Sequence, residues 1–166
     1  DDRVRALALN NRGDVALSAH DWQTAERCFA ESLALLEAAG DTANVARALY
    51  NLAAVELGRQ RFDAAAPLLA RSLRHACDVD DREDMAWSLL GLASVDAEHG
   101  RVDSGRRLLV TAEGLLRDMG ASMKPFEAEL HRRTRRALDA GGGASRTPAA
   151  PLSPSAVAEL AAVLRG

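Results

Sequence analysis

Very little aromatic surface is available to this chain: Trp, Tyr and Phe together make up 4% of its 166 residues, while hydrophobic residues reach 48%. The difference is mostly Ala and Leu, both strong helix formers, which points to an all-helical, tightly stacked protein. Only two cysteines occur, Cys28 and Cys77, with no CxxC between them. That spacing suggests neither a zinc knuckle nor a redox pair, and leaves buried or half-buried free thiols. Lysine is nearly missing. Lys124 is the only one, the other basic residues being Arg, a bias typical of high-GC bacterial genomes. No run approaches the roughly 18 apolar residues that span a bilayer, and there is no charged-then-apolar leader, so a soluble cytoplasmic protein is expected. A net charge of −3 offers no footprint for nucleic acid or an anionic membrane. The first residues are Asp-Asp rather than Met, which reads as a piece of a longer chain. His20, His75, His99 and His131 form no HExxH, and no glycine-rich loop follows a strand, so no catalytic centre, cofactor or metal is expected.

What the chain does contain is a period. Trp22, Phe62 and Val102 stand forty residues apart, and so do Ala6, Ala46 and Ala86, Leu9, Leu49 and Leu89, Phe29, Leu69 and Leu109, and Asp1, Asp41 and Asp81. Small residues recur in the same register, Gly13, Ala53 and Ala93 before the turn and Ala25, Ala65 and Gly105 after it. Helices that cross about 8–10 Å apart need small side chains at the crossing, so these pairs mark where two helices touch. A period in this range means a stacked solenoid, in which each unit buries its apolar face against its neighbours. Function is then to be sought on a surface.

Caps and breakers divide the chain into helices over residues 3 to 19, 22 to 39, 42 to 59, 62 to 78, 82 to 99, 102 to 119 and 124 to 140. Gly40 and Gly120 close helices, and Gly100 sits at a turn. Pro67 falls inside the fourth helix, where an N-cap at Asp63 would place it in the first full turn. Residues 1–140 thus form one superhelical domain. The Gly/Pro-rich stretch 141–154 reads as a flexible linker, and 155–166 as a short helix with Val157, Leu160, Ala161 and Leu164 on one side.

The residues of the first two units resemble a known family. Ala8-Leu9-Asn10-Asn11-Arg12-Gly13 with Trp22, Ala25, Phe29 and Leu33 is similar to a tetratricopeptide repeat, and Ala48-Leu49-Tyr50-Asn51-Leu52-Ala53 with Phe62, Ala65 and Leu73 resembles it more closely. The third unit departs, with Gly91 in place of Asn, Val102 at the aromatic position and Glu113 where the second helix has Leu. The resemblance implies a three-hairpin α-solenoid with a capping helix, and a role in protein or peptide binding. The segment Arg107-Leu108-Leu109, Ala112-Glu113, Leu116, Gly120-Ala121, Pro125, Glu127 and Arg133 to Leu138 is similar to the closing segment of large bacterial STAND and LuxR-type signalling and transcription regulators. Leu152-Ser153-Pro154 resembles the lead-in to a LuxR-type helix-turn-helix, without the Glu of that motif.

Two charged clusters carry bland explanations. Asp80-Asp81 and Glu83-Asp84 sit where carboxylates meet the free N–H groups of a helix start. The run His131 to Arg136 wraps more than one helix face without interleaved aromatics, as a solvated surface does. The more informative set lies on the first helices of the hairpins, which line the concave groove of such a superhelix. Its members are Asn10, Asn11, Asp14, Arg47, Tyr50, Asn51, Leu57, Trp87, Leu90, Ser94 and Glu98. By resemblance, Asn11 and Asn51 stand where peptide-binding members place an amide that both donates and accepts. Tyr50 and Trp87 offer rigid amphipathic surface, with Asn51 expected to face solvent and Trp87 the groove rim. The dicarboxylate clamp of co-chaperone relatives needs several bases, and Arg47 alone qualifies. The expected partner is a protein or peptide in the groove, which includes the regulator's own switch domain or this chain's C-terminal tail. The other reading is a structural module that self-assembles by stacking its solenoid ends.

Overall fold

A computed structural model describes residues 1–141 and 149–164. Eight helices run α1 (Asp2–Ser18), α2 (Trp22–Ala38), α3 (Thr42–Gly58), α4 (Phe62–Asp78), α5 (Arg82–Glu98), α6 (Val102–Met119), α7 (Pro125–Gly141) and α8 (Pro154–Val163), with no strand among the described residues. Each of α1, α3 and α5 pairs antiparallel with the helix that follows, and α2 and α4 pack in turn on α3 and α5. The result is the three-hairpin solenoid expected from the forty-residue period.

The helices themselves keep a finer beat. From α1 to α5 every helix has 17 residues, and three residues join it to the next. At the centre of each join the backbone is left-handed, at His20, Gly40, Gln60, Asp80 and Gly100, and Gly120 does the same after α6, with φ between 54° and 70°. One residue later an amide closes the helix by donating back to its last turn: Asp21 to Ala16, Asp41 to Leu36, Arg61 to Glu56, Asp81 to Ala76, Arg101 to Asp96 and Ala121 to Leu116, all at 2.8–2.9 Å. This is the six-to-one bond that satisfies an otherwise orphan carbonyl. Asp1, Asp21 and Asp81 then cap the next helix with their side chains. The N-cap of α4 is Arg61 rather than Asp63, so Pro67 is the sixth residue of the helix, beyond the first turn. Pro67 is exposed, and the carbonyl left without its amide lies on the water side. Arg61 and Arg101 reach back to the carboxylates of Glu56 and Asp96, at 2.6 and 2.7 Å, which ties each of these turns to the preceding helix.

Small residues do mark the crossings. Ala25, Ala53, Ala65 and Ala93 are fully buried, and a Cβ on Gly13 would stand 2.4 Å from the Phe29 ring. The hydroxyls of Ser32 and Ser72, at equivalent positions of α2 and α4, donate to the carbonyls of Ala6 and Ala46 at 2.9 and 2.7 Å. Cys28 is buried and Cys77 half-buried, both free. The two ends of the array differ. Val15, Val55 and Val95 are equivalent, yet Val15 is 71% exposed while the others, covered by the hairpin before them, are at 0% and 3%. Val4 and Leu7 are exposed on the same helix. At the far end α7 lies on α5 and α6 through the buried stripe Glu127, Leu130, Thr134 and Leu138, with Leu138 seated over Gly105. Glu113, the departure in the third repeat, receives His131 at 2.7 Å and Arg135, so it anchors α7.

The tail does not lie in the groove. Helix α8 packs on α4, in the outer layer, through Val157 and Ala161, and the Leu152 amide donates to Thr111 Oγ1 at 2.8 Å. The α8 side chains that were free to choose either surface find apolar company on the second helices of the hairpins, whereas the inner face offers carboxylates and amides. Half of the linker expected over 141–154, residues 142–148, lies outside the described residues, as do Arg165 and Gly166.

Candidate binding site on the concave face

Helices α1, α3 and α5 line the inner face side by side, and the start of α7 closes over it. Lys124, just before α7, pairs with Asp14 of α1 at 2.7 Å, and Tyr50 of α3 donates its hydroxyl to Glu127 of α7 at 3.4 Å. Beneath this bridge is a cavity of about 190 Å³ walled by α1, α3, α5 and the approach to α7. Of the residues singled out from the sequence, Asn10, Asn11, Asp14, Arg47, Tyr50, Asn51 and Trp87 line it. Leu57 lines a second, more apolar cavity of about 350 Å³ on the other side of the α7 start, with Leu17, Trp22, Phe126 and Leu130. Leu90 and Ser94 are buried and Glu98 is exposed, and none of the three lines either cavity.

Asn51 does not face solvent as expected. It is 7% exposed and donates through Nδ2 to Asn10 Oδ1 at 2.7 Å, so the two amides join α1 to α3. Trp87 is deeper than a rim position, at 8% exposed, with its indole N–H on Glu83 at 3.3 Å. Its ring lies 6.5 Å from that of Tyr50, tilted by 34°. These two rings form one wall of the cavity.

Four acidic residues reach the same space: Asp14, Glu83, Asp84 and Glu127. The last three were not among the expected binding residues. Asp84 looked like a helix-start carboxylate, and its amide does donate to the capping carboxylate of Asp81, but its side chain turns inward and is 1% exposed. Burial pushes its carboxyl up to about 6, although Arg47 at 3.4 Å pulls the other way. Burial also raises Glu127, against its own backbone N–H and Lys124, and lifts the Tyr50 hydroxyl well above its ordinary range with help from the Glu127 charge. A readable signal existed for Glu127: it occupies the apolar stripe of α7, where a carboxylate has no packing reason to be. Among the described residues no group of three His, Cys, Asp or Glu side chains is placed to hold a metal ion.

Comparison with known proteins bears on the first half of the chain. Residues 4–78 match the family model described as tetratricopeptide repeat. The first two hairpins are thus similar to tetratricopeptide repeats. No curated protein and no solved structure matches the chain. The third hairpin keeps their geometry, with Gly91 admitting Leu69 where a Cβ would stand 2.5 Å from its Cδ2. Tetratricopeptide arrays serve as protein-interaction scaffolds, and the concave cavity is a surface suited to that use. No helix among the described residues is long and apolar enough to cross a membrane. In the basic run, Arg132 pairs with Glu129 and Arg135 with Glu113, and Arg133 and Arg136 face solvent.

Proposed function

We propose that the chain binds a protein or peptide segment along the concave face of α1, α3 and α5, and that it serves as the sensing or autoregulatory arm of a larger bacterial signalling or transcription regulator. The observation that carries the reading is the way α7 meets this face. Its hold on α5 and α6 is a buried stripe together with the Glu113 pairs, but its polar contacts across to α1 and α3 are Lys124–Asp14, with the lysine side chain 66% exposed, and one long hydrogen bond from Tyr50. An exposed ion pair stabilises by about 0–1 kcal/mol, so a ligand entering the cavity can displace the first turn of α7 without unfolding the array. Such a ligand favours the opened arrangement by its differential affinity for the two, and the shift is passed to the segment that follows α7. The likeness of residues 107–138 to the closing segment of bacterial regulators supports that placement.

The test is a selection of displayed 12-residue peptides on the purified protein, followed by titration of a selected peptide against variants. Asn11→Ala with Trp87→Ala is expected to weaken binding by about tenfold or more while helicity is kept. Unchanged affinity, or a footprint confined to α2, α4 and α8, would place the binding surface elsewhere.

A further inference from the structure

Asp84 and Glu127 face the concave cavity from opposite walls, α5 and α7, and each is more than nine-tenths buried. Each also keeps one carboxylate oxygen, Asp84 Oδ2 and Glu127 Oε2, without any hydrogen-bond partner. A buried acceptor left bare carries the full cost of its lost water, so two of them on one cavity call for a donor that comes from outside. The cations already present do not supply it. Arg47 is turned to the other oxygen of Asp84, through Nε, and Lys124 to Asp14. The carboxylates therefore outnumber the cations of the cavity by two. Tyr50 and Trp87 add aromatic surface beside them, which attracts cations through the negative face of the ring.

We infer that this cavity is a subsite for a cationic side chain of the bound protein segment, an arginine in the first instance, whose guanidinium bridges Asp84 and Glu127 against the Tyr50 and Trp87 rings. The inference rests on the groove-binding reading and gives its ligand a chemistry. A guanidinium carries five N–H donors in a planar fork and no acceptor, which suits a site made of orphan acceptors and ring faces. Size agrees: at roughly 30 Å³ per water-sized group, about 190 Å³ admits the four heavy atoms of a guanidinium with part of its stem. The site is opposite in sign to a pocket that clamps a partner's carboxylate.

The probe is N-acetyl-arginine amide, with N-acetyl-citrulline amide as its neutral isostere, titrated into the isotope-labelled protein while the Trp87 indole N–H is followed by nuclear magnetic resonance. Saturable shifts at Trp87 and at the amides of residues 50, 84 and 127 are expected with arginine, and a response weaker by about tenfold or more with citrulline. Asp84→Asn with Glu127→Gln should reduce the arginine response by a similar factor. Glu83→Lys, at an exposed position of the cavity wall, gives a variant whose folding is not at issue and should act the same way. Equal shifts with arginine and citrulline, or an arginine response untouched by these variants, overturn the inference. A selected peptide that binds the groove equally well in wild type and in the Asp84/Glu127 variant leaves groove binding standing and removes the cation subsite, whereas peptides that bind only the outer face remove both.

Discussion

The six left-handed turn residues allow a prediction in which sign, size and order all follow from the backbone. A residue with a Cβ pays about 1–2 kcal/mol in this conformation, and glycine does not, although glycine loses about 0.5–1 kcal/mol more backbone entropy on folding. At Gly40, Gly100 and Gly120 a Cβ would meet nothing within 4 Å, so neighbours add nothing and the effect is that of the backbone alone. Gly100→Ala should therefore lower stability by about 0.5–1 kcal/mol. The reverse change is available at Gln60 and Asp80, both exposed with φ of 59° and 54°, and Gln60→Gly and Asp80→Gly should each raise stability by a similar amount, about 0.5–1 kcal/mol. His20 is different. Its ring stacks on Trp22 with centroids 5.0 Å apart, a contact of about 0.5–1.5 kcal/mol, so His20→Gly should give no net gain. Urea unfolding followed by circular dichroism resolves differences of this size when the slope is unchanged. If His20→Gly stabilised more than Gln60→Gly, or Gly100→Ala were neutral, the account of the turns would be wrong.

Removing residues 149–166 should leave the affinity of a groove ligand unchanged, because α8 sits on α4; tighter binding by the truncated chain, in fluorescence anisotropy, would mean that the tail reaches the groove in solution. Gly13→Ala places a methyl against the Phe29 ring, and Ala53→Leu overfills a fully buried crossing, so each should cost about 1–3 kcal/mol and lower the melting temperature. Asp84 holds its proton more tightly in the folded protein, about 6 against an ordinary 3.8, so its ionisation removes stability as pH rises from about 4 to about 6, by at most about 3 kcal/mol. Asp84→Asn lacks that loss, and its urea midpoint should gain on the wild type across this window; a gap that narrowed with rising pH would contradict the burial of the carboxylate. Glu113→Ala leaves His131 and Arg135 without their shared partner and should speed hydrogen exchange in α7 more than in α5.

Much of the architecture was legible because packing repeats where sequence repeats. Small residues at Gly13, Ala53 and Ala93 located the crossings, and the helix limits follow Asp caps and glycine stops to within a residue or so. The twenty-residue beat was harder to see, since half of its left-handed positions carry His, Gln or Asp, whose presence announces no special backbone. The groove residues were expected on open surface, and Asn51 and Trp87 are buried instead because the start of α7 folds back to α1, a contact 110 residues apart that no local pattern encodes. Helix α8 has an apolar side, and periodicity tells that a face is buried without telling against what. Glu127 was missed although its signal is in the sequence, a carboxylate on the buried stripe of α7.

The unlike ends of the array decide what kind of assembly it could enter. At the α1 end, Val15 is the exposed counterpart of Val55 and Val95, which stack inside the solenoid, and Val4 and Leu7 lie exposed on the same helix. The α7 end shows Arg132, Arg133, Arg135 and Arg136 on its exposed side. Head-to-tail contact would press guanidinium groups onto valine and leucine and strip their water, with a carboxylate held only by Arg132 and Arg135, so the translation that builds an endless filament is disfavoured. Two copies meeting through their α1 faces would instead be related by a twofold axis, each covering the other's valines, and growth would stop at two. A pair closed in this way would leave both α7 surfaces and both concave cavities turned outward.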